Sequence, residues 1–163
     1  MSDEVFSLRP IGRVHSPWTQ GTGTPVQPPS ALGITGTVDI FPEFIPGLAD
    51  LAGFERIWLL FWCHRAKAAA MRVLPYRDTQ MRGLFATRAP ARPNPIGMSA
   101  VRLLGIDGGI ITVGELDLLD GTPLIDVKPY VADYDAYPQA RRGWLEDATV
   151  TDGPMRADHR FER

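Results

Sequence analysis

The sequence is poor in the residues that cross-link a chain or hold a metal. Its single cysteine, Cys63, excludes an internal disulfide and any cysteine-cluster metal site. The three histidines, His15, His64 and His159, show no ligand spacing such as HExxH, so no metal is expected. The longest apolar run, IWLLFWC at 57–63, is far too short to span a bilayer, and the polar, acidic opening MSDEVFSLRP does not read as a signal peptide. The expectation is a cytoplasmic protein without membrane contact. Nucleotide-binding signatures are missing too. There is no P-loop and no GxSxG, GTGT at 21–24 is not followed by helical periodicity, and DGG at 107–109 reads as a hairpin turn. A ligand of nucleotide type would have to be bound by some fold other than a Rossmann sheet.

Glycine and proline, by contrast, are abundant and spread throughout, 16 and 15 in 163 residues. Between them lie short β-branched or alternating runs. LRPIGRVHS (8–16), ITGTVDIFP (34–42) and TPLIDVKPYV (122–131) read as strands, and IWLLFWCH (57–64) reads as a strand apolar on both faces. Residues 98–121 read as a hairpin turning at Asp107-Gly108-Gly109. Residues 17–33 form a long aperiodic loop. The best helix candidate is GLADLAGF (47–54), with turns near 66–72 and 137–147. Many short strands and few helices predict a mainly β, single-domain fold over 1–163: a small barrel or closed sheet.

The net charge of −2 is unevenly distributed. Residues 56–106 carry nine basic side chains against one acid, Asp78, a balance of +8, while 1–55 sum to −4 and 107–163 to −6. A basic segment on an acidic protein suits a polyanion met at one site. Inside that segment lies GLFATRAPARPNPIGMS (83–99), with Pro90, Pro93, Pro95, Arg88 and Arg92. Proline fixes φ, removes a donor and restricts the residue before it. This loop therefore reads as stiffened, holding two guanidinium groups that suit anionic or planar partners. In DLLDGTPLIDVKPY (117–130), Asp120 suits a turn cap. Asp126, Lys128 and Tyr130 alternate along the strand that follows, opposite Ile125 and Val127, and read either as a site or as a solvated face. His64 ends an otherwise apolar strand.

PIGRVHSP, LFATRAPARPNPIGMS and DLLDGTPLIDVKPY, in this order, resemble the TsaA-like family, also called TrmO, from about Leu8 to Trp144. The resemblance implies a small β-barrel unlike Rossmann methyltransferases, a homodimer, and S-adenosylmethionine-dependent methylation of N6 of N6-threonylcarbamoyladenosine at tRNA position 37. It implies a cofactor site of Pro25, Val26 and Gln27, then His64 and Arg65, then Arg88 and Met98, and finally Gly121, Thr122, Pro123 and Leu124. The acceptor nitrogen must lose a proton, for which Asp126 and Tyr130 are candidates, with Lys128 placed to hold the substrate carboxylate. Arg65, Lys67, Arg72, Arg77, Arg82 and Arg92 would meet phosphates of the anticodon stem-loop. Larger members carry an additional C-terminal domain, expected to be absent here. A small-molecule or other RNA acceptor, or a non-catalytic module that binds cofactor or RNA, are the alternatives.

Overall fold

The computed structural model describes residues 4–148 and 153–161. Its strands are, in chain order, β1 (Gly12–His15), β2 (Thr35–Ile40), β3 (Arg56–Trp62), β4 (Arg72–Val73), β5 (Arg82–Gly83), β6 (Ile96–Asp107), β7 (Ile110–Gly114) and β8 (Pro123–Pro129). Six close an antiparallel barrel in the order β1-β2-β7-β6-β3-β8, with β8 pairing back onto β1. Closure leaves the sheet without free edges. Strands β4 and β5 form a separate two-stranded arm.

Alternation places the core. Ile57 and Leu59 of β3 are fully buried, and Val14, Val38, Val101, Ile111, Val113 and Leu124 complete the barrel interior from the other strands. Trp58, between the two buried β3 residues, faces outward. Strand β3 is therefore less apolar in its surroundings than the sequence suggests. On its outer side Tyr130 packs with its ring centroid 5.6 Å from that of Trp58, next to the short helix α1 (Ala132–Asp135). The Trp58 Nε1–H donates to Asp135 Oδ2 at 3.3 Å, and the same oxygen accepts from the Val131 N–H at 2.8 Å.

Three departures from the sequence reading have local causes. The hairpin turns where expected, at Gly108 and Gly109 between the paired Asp107 and Ile110, but β7 stops at Gly114 rather than running on to 121. Glu115 sits at φ 60, a conformation no strand continues through, and its carboxylate accepts from Arg56 Nη2 at 2.8 Å. In place of an α-helix at 47–54 there are two 3-10 turns, Pro42–Leu48 and Leu51–Gly53. Pro46 offers no N–H within the first, and Asp50 at φ 65 separates the two. In β8 the register against β3 shifts between Leu60 and Phe61, so that Leu124 and Val127 both pack on the core. An uninterrupted strand would send residues three apart to opposite faces.

The C-terminal segment returns to the early loop. Val26 N donates to Met155 O at 2.8 Å, Gly23 N to Ala157 O at 2.7 Å and Ala157 N to Thr24 O at 2.8 Å. Phe161 then joins a second apolar cluster with Val73, Leu84, Ala89 and Tyr76, which ties the arm to the loop at 84–95. Among the described residues no helix is long and apolar enough to cross a membrane.

Candidate functional site

The proline-rich loop is fixed from within. After a single 3-10 turn (Leu84–Ala86), Arg92 Nη1 donates to the carbonyls of Thr87 at 3.0 Å and Ala89 at 3.2 Å. Ala89 and Ala91 are buried, the Pro95 carbonyl accepts from Cys63 N at 2.7 Å, and β6 begins at Ile96. Arg92 thus holds the loop together, while the exposed Arg88 projects from it. Arg88 Nη1 donates to Gln27 Oε1 at 2.7 Å, across 61 residues of sequence. Gln27 has φ 69, unusual for a residue with a side chain, and such strain costs about 1–3 kcal/mol. Its carbonyl accepts from Ser30 N at 2.9 Å, closing the turn that holds it there.

Loop, early segment and strand ends enclose a pocket of about 360 Å³. That volume lies within the range of small-molecule sites. Of the residues implied by the resemblance, Pro25, Val26, Gln27, His64, Arg65, Arg88, Met98 and Thr122 line it, and so does Arg92. Phe61, Gly97, Ser99 and Leu118 line it as well. A Cβ at Gly97 would collide with the Phe61 ring, so glycine is what lets the ring lie against β6. Thr122 is fixed in the turn by its Oγ1–H, which donates to Leu119 O at 2.7 Å. His64 is held below its usual pKa by burial first, then by the charges of Arg65 and Arg13, so its imidazole is neutral at pH 7.

Other implied residues lie elsewhere. Gly121, at φ 74, serves the turn: its N–H donates to Val14 O at 2.9 Å and its carbonyl accepts from Arg13 at 2.8 Å. Leu124 is in the barrel core, and Pro123 pairs with Arg13. Asp126, Lys128 and Tyr130 are not brought to the pocket. Asp126 Oδ2 pairs with Lys128 Nζ at 2.8 Å, both side chains in contact with solvent, and Tyr130 packs on Trp58. Arg72, Arg77 and Arg82 sit on the β4–β5 arm, which reaches the pocket through Tyr76. Arg82 is already engaged, ion-paired to Asp78 and stacked over Trp144 at 5.3 Å.

The sequence reading missed Asp117. It lines the pocket, its Oδ2 accepts from Ser99 Oγ at 3.0 Å, and its Oδ1 is buried with no hydrogen-bond partner among the described residues. Burial raises its pKa from 3.8 to about 6, against the smaller opposing effects of the Ser99 hydrogen bond and the nearby Arg88 charge. An acid between Leu116 and Leu118 reads as an ordinary solvated position, and only the fold turns it inward. Cys63, also on the wall, is pushed up to about 11, chiefly by burial. Its thiol should alkylate about one hundredfold more slowly at pH 8 in the folded protein than in denaturant. A measurement with iodoacetamide giving equal rates would show instead that the thiol is open to solvent.

Comparison with known proteins gives concordant results. The family model for the tRNA-methyltransferase O N-terminal domain matches residues 13–136. A probable S-adenosyl-L-methionine-binding protein of Pyrococcus abyssi is 48% identical over 157 residues, 96% of this chain and 85% of that one. The tRNA (adenine(37)-N6)-methyltransferase of Escherichia coli is 32% identical over 90% of this chain and 67% of its own. The crystal structure of TrmO from Pseudomonas aeruginosa superposes with TM-score 0.73 at 39% identity, covering 86% of this chain. This chain spans 62% of the length of that solved one.

Proposed function

Because the chain belongs to the tRNA-methyltransferase O family, we propose that its pocket binds S-adenosylmethionine and that it methylates N6 of N6-threonylcarbamoyladenosine at position 37 of tRNA. The observation that carries this reading is convergence. Four stretches far apart in sequence, around Gln27, His64, Arg88 and Thr122, supply one pocket of cofactor size, and its stiff wall is the proline loop. The lining fits the cofactor chemically. Arg88 and the neutral His64 offer donors at the rim, Met98 and Phe61 give apolar surface, and the unpartnered Asp117 oxygen awaits a donor.

When bound, S-adenosylmethionine supplies a methyl group on a sulfonium centre for in-line displacement. The protein's part is positioning and exclusion of water. Arg88, braced by Gln27, fixes the ligand from one wall, and the close approach of Phe61 to Gly97 shapes the lining. Preorganisation of this kind lowers the ordering cost of binding. We propose further that the protein acts in the cytoplasm as a homodimer and that residues 1–163 work as one TsaA-like unit. Light scattering of the purified protein tests the dimer.

For the tRNA, the arm supplies cations beside the pocket. Arg72→Ala and Arg77→Ala should each weaken tRNA binding and reduce the slope of log affinity against log salt by about 0.7–0.9 per lost phosphate contact. Arg82→Ala should do less, because Asp78 already neutralises it. Filter binding across a salt series checks this ordering, and an Arg82 effect larger than those of Arg72 and Arg77 would contradict it. The function itself is tested by incubating the protein with labelled S-adenosylmethionine and tRNA either carrying or lacking threonylcarbamoyladenosine. Label in both tRNAs would point to another RNA acceptor. Label in neither, with cofactor bound, would point to a small-molecule acceptor or a binding module.

A further inference from the structure

The walls of the pocket are electrically lopsided. Arg65, Arg88 and Arg92 line it with the neutral His64, and Asp117 is the one carboxylate among the described residues that does. A buried carboxylate is costly unless something pairs with it. Here only half of it is paired. Ser99, itself buried in β6, donates to Oδ2, which fixes the rotamer and leaves Oδ1 shielded from water and without a partner. A group so placed is poised for a donor that the described residues do not supply.

The donor's chemistry follows from the neighbours. Arg88 is close enough for its charge to act on Asp117 and lies on the same pocket. A guanidinium and a carboxylate on one pocket are the pair that recognises an α-amino acid, whose carboxylate and ammonium leave the same carbon. A carboxylate also accepts from ribose hydroxyls, but a ribose gives no use to the guanidinium on the same pocket. A fixed, buried anion is best matched by a cation. The acceptor nucleotide is a weaker match, because it enters from outside whereas Asp117 Oδ1 is covered from solvent.

We propose that Asp117 is the anionic ligand of the pocket, its Oδ1 accepting from the α-ammonium of the cofactor's amino-acid end while Arg88 takes the adjoining carboxylate. This rests on the S-adenosylmethionine reading above. Ser99 is then the positioning residue that aims the carboxylate.

The test is a cycle between a protein variant and a ligand group, read by calorimetry. S-adenosylhomocysteine carries the amino-acid end without the sulfonium charge, and 5′-methylthioadenosine lacks that end altogether. Asp117→Asn should weaken S-adenosylhomocysteine tenfold or more and change 5′-methylthioadenosine by less than threefold. With the unmodified protein, S-adenosylhomocysteine lacking its α-amino group should lose the same factor. That arm shows that the amine is held, and if Asp117→Asn fails to fold, Ser99→Ala, which releases the Asp117 rotamer, should show the same selective loss for S-adenosylhomocysteine over 5′-methylthioadenosine. Equal losses for both nucleosides would overturn the assignment and place Asp117 against the adenosine half. Unchanged affinities with slower turnover would also overturn it, making Asp117 a group that serves the acceptor. Failure of the unmodified protein to bind S-adenosylhomocysteine at all would remove the cofactor reading itself, a different result from either.

Discussion

Arg88→Ala should weaken binding of S-adenosylhomocysteine by about one to two orders of magnitude while the protein remains folded. The size follows from what is lost. A hydrogen bond to a charged group contributes about 1.5–3 kcal/mol, and each 1.4 kcal/mol is tenfold in affinity. The selectivity follows from position. Arg88 is exposed and among the described residues hydrogen-bonds the Gln27 side chain alone, so its removal breaks no buried contact, and the loss of its charge near Asp117 only lets burial push that carboxyl's pKa further up. Exposed substitutions of this kind change stability by about 0.5 kcal/mol or less, so the thermal midpoint should hardly move. Arg92→Ala provides the contrast. That guanidinium ties Thr87 and Ala89 together inside the loop, so the variant should lose cofactor affinity and thermal stability together. Arg88→Lys should recover only part of the affinity, since an ammonium lacks the planar fork that grips a carboxylate. If Arg88→Ala bound S-adenosylhomocysteine normally, or lost it only by melting, the pocket wall would have a structural role alone.

Much of this architecture was legible in the sequence where a local rule decided it. An unbroken apolar run marked β3 as a strand, Gly108-Gly109 marked the hairpin, and three prolines marked a rigid loop at the centre of a basic segment. Local rules failed where tertiary geometry overruled them. Asp126, Lys128 and Tyr130 keep a clean period of two, yet alternation says only that residues share a face, never which face meets a pocket. Here the register shift beside Ile125 re-phases β8 against the core and leaves Asp126 and Lys128 to each other. Arg88 stood out because proline confines its loop. The carboxylate was missed because nothing local distinguishes Asp117 from Asp120 three residues on. Asp120 accepts from Ser16 N at 3.1 Å and shapes the turn, and Asp117 is carried into the pocket where β7 has already ended at Gly114. The +8 segment likewise proved divided in role: Arg56 pairs with Glu115, Arg82 with Asp78, and Arg92 braces its own loop.

The unliganded carboxylate of Asp117 should make the protein less stable at neutral pH than at pH 4, and Asp117→Asn should abolish that component. The sign follows from linkage. The folded pKa, about 6, lies above the value near 3.9 of an unfolded aspartate, so between these limits the folded chain holds a proton that the unfolded chain has released. Stability from this group is complete below the lower value and is lost as pH rises through the upper one. Two pKa units correspond to about 3 kcal/mol, and partial solvent contact of the side chain makes about 2 kcal/mol the better expectation. Asparagine can still accept from Ser99, and its own buried amide adds an offset that does not vary with pH. The informative quantity is therefore the difference between the two proteins measured by denaturant unfolding at a series of pH values. It should grow in favour of the variant by about 2 kcal/mol between pH 4 and 7, most of it between pH 4 and 6. Cys63, raised to about 11, and Arg88, permanently charged, stay constant across that window, and His64 titrates in both proteins. Adding S-adenosylhomocysteine should then stabilise the unmodified protein more than the variant, because the ligand pairs the charge that folding left exposed to no partner. Parallel pH curves would mean that Asp117 is charged at little cost and solvated in the folded state. A divergent pair, closed by ligand, would show a site that gives up stability at neutral pH in order to hold an anion ready for a cationic ligand.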